Sequence, residues 1–222
     1  MGRDDWHRRT TWTERDAEEF QARLKRSRGD FSKAQSLRIQ AYHLAEVGNH
    51  EAALALLDQQ LRDYPGESVA TPRSLLQRAE SLAALDRPDE AIAGYRDALK
   101  AREEFPNILT GVELSFAWFI MVRKLAPLYD EALRLLQDRE LHPGALMFPA
   151  ERFRLAAIRA VIAWERGEVE VSRRFADLAR QEAAREHSGL RYHPDLGLVG
   201  QIDPDVAARL AAIPAIQRGE AE

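Results

Sequence analysis

The chain has no cysteine. That excludes disulfides, thiolate catalysis and cysteine-ligated metal sites, and it leaves the redox compartment open. Lysine is scarce as well. Of the 32 basic residues 28 are arginine, a bias that a GC-rich genome can impose, so an arginine in any one place carries less weight than usual. Long apolar runs are also missing. The longest, "FAWFIMV" (116–122), is about a third of a membrane span. The opening "MGRDDWHRRTTW" has no apolar core of a secretory signal and no serine or threonine at position six for myristoylation. We therefore expect a cytoplasmic protein with no membrane partner. A net charge of −4 does not suggest a coat for nucleic acid or an anionic bilayer.

Catalytic patterns are lacking too: there is no glycine-rich phosphate loop, no G-x-S-x-G and no H-E-x-x-H. The closest useful histidine pair, His187 and His193 with Glu182 and Glu186 nearby, is a weak metal pattern and reads first as surface side chains. Asp89-Glu90 and Asp130-Glu131 resemble paired carboxylates. Their recurrence at the start of helical stretches points instead to capping and to complementing the helix dipole. We expect no enzyme activity, cofactor or metal. No run of alternating apolar residues argues for a strand, so the expected fold is all-α.

What is present is a repeat. "GNHEAALALLDQQL" (48–61), "DRPDEAIAGYRDAL" (86–99) and "PLYDEALRLLQDRE" (127–140) share an acid–alanine–apolar core, with a weaker copy in "GEVEVSRRFADLAR" (167–180). Each follows a second helical stretch, such as "AQSLRIQAYHLAEV" (34–47). The pattern resembles the tetratricopeptide repeat, a 34-residue pair of antiparallel helices A and B, as found in short bacterial proteins. It matches that family's small residue at its eighth position (Ala41, Ala79, Ala160), glycine at its fifteenth (Gly48, Gly167) and proline at its thirty-second (Pro65). The resemblance implies a curved α-solenoid of about four helix pairs, over 34–67, 72–105, 113–146 and 153–186. In the third, Ile120 falls on the small position and Pro127 on the glycine, so its turn has room for an insertion.

Residues 1–31 then form an N-terminal extension with a capping helix, 32–187 the repeats, and 188–222 a docking tail with a short helix. Boundary signals accompany this division. Ser32-Lys33-Ala34-Gln35 and Thr110-Gly111-Val112-Glu113 read as capping boxes, and Thr13-Glu14-Arg15-Asp16 as the cap of a helix reaching Arg28. Thr71-Pro72 and Asp203-Pro204 read as a cap followed by proline at the first helical position. The tail "SGLRYHPDLGLVGQI" (188–202) is broken by glycines and a proline but is too apolar for a free linker, so it is expected to dock on the last repeat.

The family's concave groove is lined by helix A. Carried over, its positions include Arg38, Tyr42, Arg73, Glu80, Arg154, Trp164 and, in the uncertain third unit, Lys124 or Arg123. Arg191, Tyr192 and His193 of the tail are expected near its end. These arginines suit carboxylates and aromatic rings. The resemblance implies a non-catalytic module that binds a protein or peptide, acidic or ending in a carboxylate. Tyr42 stands where the chaperone-binding carboxylate clamp has asparagine, so chaperone binding is not expected. Two alternatives stay open. One is an immunity-type or regulatory protein that covers the surface of a toxin or enzyme. The other is a nucleic-acid-associated factor using "RLKRSR" (23–28) with Trp6 and Trp12, although that stretch reads first as a solvated basic face.

Overall fold

A computed structural model describes residues 5–140 and 146–215. Among them every regular element is helical, and no helix is long and apolar enough to cross a membrane. The helices are α1 (Glu14–Arg26), α2 (Asp30–Glu46), α3 (His50–Asp63), α4 (Thr71–Ala84), α5 (Pro88–Glu104), α6 (Val112–Val122), α7 (Tyr129–Glu140), α8 (Pro149–Glu165), α9 (Val169–Ala183) and α10 (Pro204–Ala211). The chain divides into two compact units, Met1–Val112 and Glu113–Glu222, where the sequence led us to expect one continuous array. The boundary falls where the third repeat was expected to begin.

In unit 1, α2 packs on α3, α3 on α4, and α4 on α5. The reason is the spacing of apolar residues. Ala34, Leu37, Ala41 and Leu44 of α2, all fully buried, recur at three- and four-residue intervals and so share one stripe. Ala53, Leu56 and Leu57 of α3 join them in a core that also holds Phe20 and Leu24 of α1. Trp6 and Trp12 close over Phe20, with ring centroids 5.1 and 5.5 Å away. The N-terminal segment is fastened by the buried Gln40, whose side-chain amide pairs reciprocally with the backbone of Arg9 at 3.0 and 2.7 Å. Arg9 in turn bridges Asp16 and Glu19. Both tryptophans are thus engaged in packing, each left half-buried.

Among the described residues the same corner occurs four times, joining α2 to α3, α4 to α5, α6 to the segment leading into α7, and α8 to α9. Gly48, Asp86, Lys124 and Gly167 each take a left-handed conformation, with φ of 82, 58, 56 and 77°. The next residue donates its N–H to Leu44 O, Leu82 O, Ile120 O and Ala163 O, respectively, at 2.8–3.0 Å. The left-handed residue itself donates to the carbonyl three positions back. This is a Schellman ending, which satisfies carbonyls that the helix end would otherwise leave unpaired. Glycine adopts it freely. Asp86 and Lys124 adopt it against a steric cost of roughly 1–2 kcal/mol.

Counting seven residues back from each left-handed position gives Ala41, Ala79, Ala117 and Ala160, all fully buried. Ile120, expected at the small position of the third repeat, lies four residues before the corner and is fully buried as well. A 3-10 turn, Ala126–Leu128, is inserted before α7. The expected end of that repeat, 141–145, lies outside the described residues, as do 1–4 and 216–222 of the expected terminal segments.

Thr13 and Asp203 cap α1 and α10 as expected, and Thr13 forms its box with Asp16. Those hydrogen bonds hold the Asp16 carboxyl down to about 2. Two other expected caps are displaced. Helix α2 starts at Asp30 behind Gly29, leaving Ser32 inside its first turn, where its carbonyl accepts from Ser36 Oγ at 2.8 Å. Thr71 is already helical and turns its hydroxyl to Pro65 O, so the cap of α4 is Ala70. At the second expected box, α6 begins at Val112, whose N–H reaches Thr110 Oγ1 at 3.4 Å.

Helices α4 and α5 approach closely because the residues between them are small: Ala79, Ala91 and Ala98 are fully buried. A Cβ added to Gly94 would sit 3.2 Å from that of Ala79. Ala91→Trp is therefore expected to cost on the order of 1–3 kcal/mol by overpacking. Chemical denaturation checks this, and an unchanged midpoint would refute the assigned contact.

Candidate functional site

In unit 1 the stripe that buries Leu37 and Leu44 turns Arg38 and Tyr42, one helical turn apart, to the other side of α2. On α4, which touches α2, Arg73 and Glu80 are both exposed, two turns apart. The four expected residues of this unit therefore share one face, basic toward the helix starts and acidic toward their ends.

Arg38 is half-buried and donates from Nε and Nη2 to Gln35 Oε1 at 3.2 and 3.1 Å. Burial and the neighbouring Arg73 charge pull it below the ordinary guanidinium value. Neither arginine has a carboxylate within salt-bridge distance among the described residues. Two like charges held together without a counter-ion make a place where an anion is favoured. Tyr42 is 45% exposed. Partial burial, the charge and hydrogen bond of Glu46, and the charge of Glu80 raise its hydroxyl above the usual phenol value. Behind the ring is a cavity of about 160 Å³, lined by Tyr42, Glu46, His50, Gln77, Glu80 and Ser81 among others. Sequence reasoning missed His50 and Gln77, which flank the face rather than project from it.

Unit 2 treats the corresponding face differently. Leu114, Ala117 and Met121 of α6 and Ala157 and Val161 of α8 are buried, and α10 packs on α8. Val206 and Leu210 of α10, with Ile213 just beyond, are buried. Arg209 donates to Met121 O at 2.8 Å and to Glu165 Oε1 at 2.5 Å. Arg180 of α9 reaches Leu210 O and Ile213 O. Glu165 also accepts from the Tyr129 hydroxyl. Burial and this carboxylate push Tyr129 up to about 12.

Of the sites expected in this unit, Lys124 lies in the corner and not on a helix face, where it pairs with Asp205 at 3.1 Å. Arg154 is exposed and lies 5.4 Å above the Trp118 ring. Trp164 is 37% exposed near the end of α8. The tail closes on itself, with Ser188 donating from N to Pro194 O and from Oγ to His193 O, both at 2.7 Å. It meets α8 through Gly197, whose carbonyl accepts from Ala150 N and whose missing side chain admits the Phe148 ring. Arg191, Tyr192 and His193 are exposed, and Arg191 stacks on its neighbour Tyr192. His187 Nδ1 accepts from Gly189 N at 3.1 Å. No group of three or more potential metal ligands occurs among the described residues.

A larger cleft in unit 2, of about 460 Å³, runs between α7, α8 and α9 over Leu133, Ile162 and Phe175. Arg159 already lies on the Phe175 ring, at 5.1 Å, and Asp130 already pairs with Arg166. Comparisons of the chain with protein-family models, curated proteins and solved structures give no match.

Proposed function

We propose that this protein is a non-catalytic docking module in which the α2–α4 face of unit 1 receives a segment of another protein. Its four corners, each joining a helix to the one that follows, support reading the chain as a tetratricopeptide-like array, with α2, α4, α6 and α8 in the role of helix A. The observation that carries the docking reading is the pair Arg38 and Arg73, adjacent and without a carboxylate partner among the described residues, beside the half-exposed Tyr42. An acidic side chain or a terminal carboxylate relieves that repulsion and gains two charge-assisted contacts.

The corresponding face of unit 2 is closed by α10, so the open face is assigned to unit 1. The test is Arg38→Glu with Arg73→Glu, compared with Arg23→Glu and Arg62→Glu on α1 and α3. Each pair is used as bait in cells of the native host. The face variant is expected to lose a partner at least tenfold that the control pair retains, with both keeping the wild-type helical signal. Equal recovery by both would place the partner elsewhere.

A further inference from the structure

Two residues that line the cavity beside Tyr42 each carry a polar atom that the fold leaves unused. His50 Nδ1 and Gln77 Oε1 are sealed from solvent without a hydrogen-bond partner, and both side chains line that one cavity. Buried polar atoms are nearly always paired, so a guest that supplies hydrogens gains two partners once these half-buried side chains turn toward the space. Gln77 Oε1 only accepts, and His50 Nδ1 accepts when the ring proton is on Nε2. The rim adds the charges of Glu46 and Glu80 and the ring of Tyr42.

Acceptors, negative charge and a π face together call for a cation that donates and does not accept. Guanidinium fits this closely, with five N–H donors, no acceptor and a plane that stacks on aromatic rings. At about 160 Å³ the space falls well below the roughly 300–1,000 Å³ of small-molecule sites, and it suits one side chain rather than a metabolite. The C-terminal ends of α2 and α4 add the negative end of the helix dipole. Unit 2 satisfies the same chemistry from within, where Arg209 of α10 reaches a helix-end carbonyl, Met121 O, and the carboxylate of Glu165.

We propose that the cavity is the seat for an arginine side chain of the docked segment, an inference that rests on the docking reading above. The segment then presents an arginine to the cavity and an acid to Arg38 and Arg73. The probe is N-acetyl-arginine-N-methylamide, titrated into the full chain and followed by backbone amide shifts. It is expected to move the resonances of Tyr42, His50, Gln77 and Glu80. The isosteric but uncharged citrulline analogue at the same concentration should not move them. Glu80→Gln should weaken the arginine probe at least fivefold, while Glu103→Gln on the outer surface of α5 should not.

Equal shifts from citrulline, shifts confined to other residues, or tighter binding of free arginine than of the blocked form would each overturn the proposal. The last of these would mark a site for the free amino acid. Failure of the arginine probe while reversal of Arg38 and Arg73 still releases a partner would sink only the arginine seat. Loss of both would remove the docking face itself.

Discussion

Phe20→Ala is expected to destabilise unit 1 by about 3–5 kcal/mol, the range for removing a large buried aromatic side chain. Phe20 is fully buried in the core shared by α1, α2 and α3, and Trp6 and Trp12 both rest on it. The loss has two parts. Transfer of the ring to water accounts for one, and the hole left under two bulky indoles accounts for the other, because the Gln40–Arg9 clasp holds the segment above it in place. Two of the four tryptophans report on the change, so intrinsic fluorescence should shift to the red well before helicity is lost. A Phe20→Ala protein with wild-type denaturation midpoint and emission would refute the assignment of the N-terminal segment to the core.

Ending the chain after Asp203 should have the second large effect. It removes Val206, Leu210 and Ile213, all buried, each contributing roughly 1.5–3 kcal/mol when fully buried. It also strips Glu165 of Arg209 and Lys124 of Asp205. The summed loss should be several kcal/mol, an upper figure because unfolded chains already bury part of their apolar surface. The truncated protein is expected to unfold at distinctly lower denaturant and to bind an apolar dye that the full chain does not. Unchanged stability would mean that α10 rests on unit 2 without supporting it.

Much of this architecture can be read in the residues, and the exceptions have physical causes. Helix starts at Thr13 and Asp203 and stops at Gly48 and Gly167 follow from local chemistry, so local reasoning finds them. Asp86 falls opposite Gly48 in the repeat, and aspartate tolerates a left-handed backbone. The corner at Lys124 is invisible to local reasoning, because lysine has no such preference and the conformation is held by the hydrogen bonds around it. That hidden corner is why Lys124, expected on a helix face, sits in a turn.

The site shows the same split. Arg38, Tyr42, Arg73 and Glu80 share a face because helical spacing dictates it. His50 and Gln77 flank a cavity that exists only once α2, α3 and α4 are packed. The stripe of Val206 and Leu210 announces that α10 buries a face, but nothing in eight residues says against what. Arg191 and His193 were expected to follow the tail's apolar residues inward. The Ser188–Pro194 hydrogen bond closes the loop first and leaves them in solvent.

The four corners also bear on how fast the chain acquires its structure. Three of them bring two packed helices together across a turn of a few residues, and contacts so close in sequence are the ones that let helical proteins fold within microseconds to milliseconds. Helix α10 is held by contacts of longer reach, from Arg180–Leu210 and Arg209–Glu165, which close 30 and 44 residues of chain, to Lys124–Asp205 and Arg209–Met121, which close 81 and 88. Each doubling of a loop adds about 0.6 kcal/mol to the entropy of closing it. Docking of α10 is thus expected to follow the pairing of α8 with α9, which brings Glu165 and Arg180 into place to receive it.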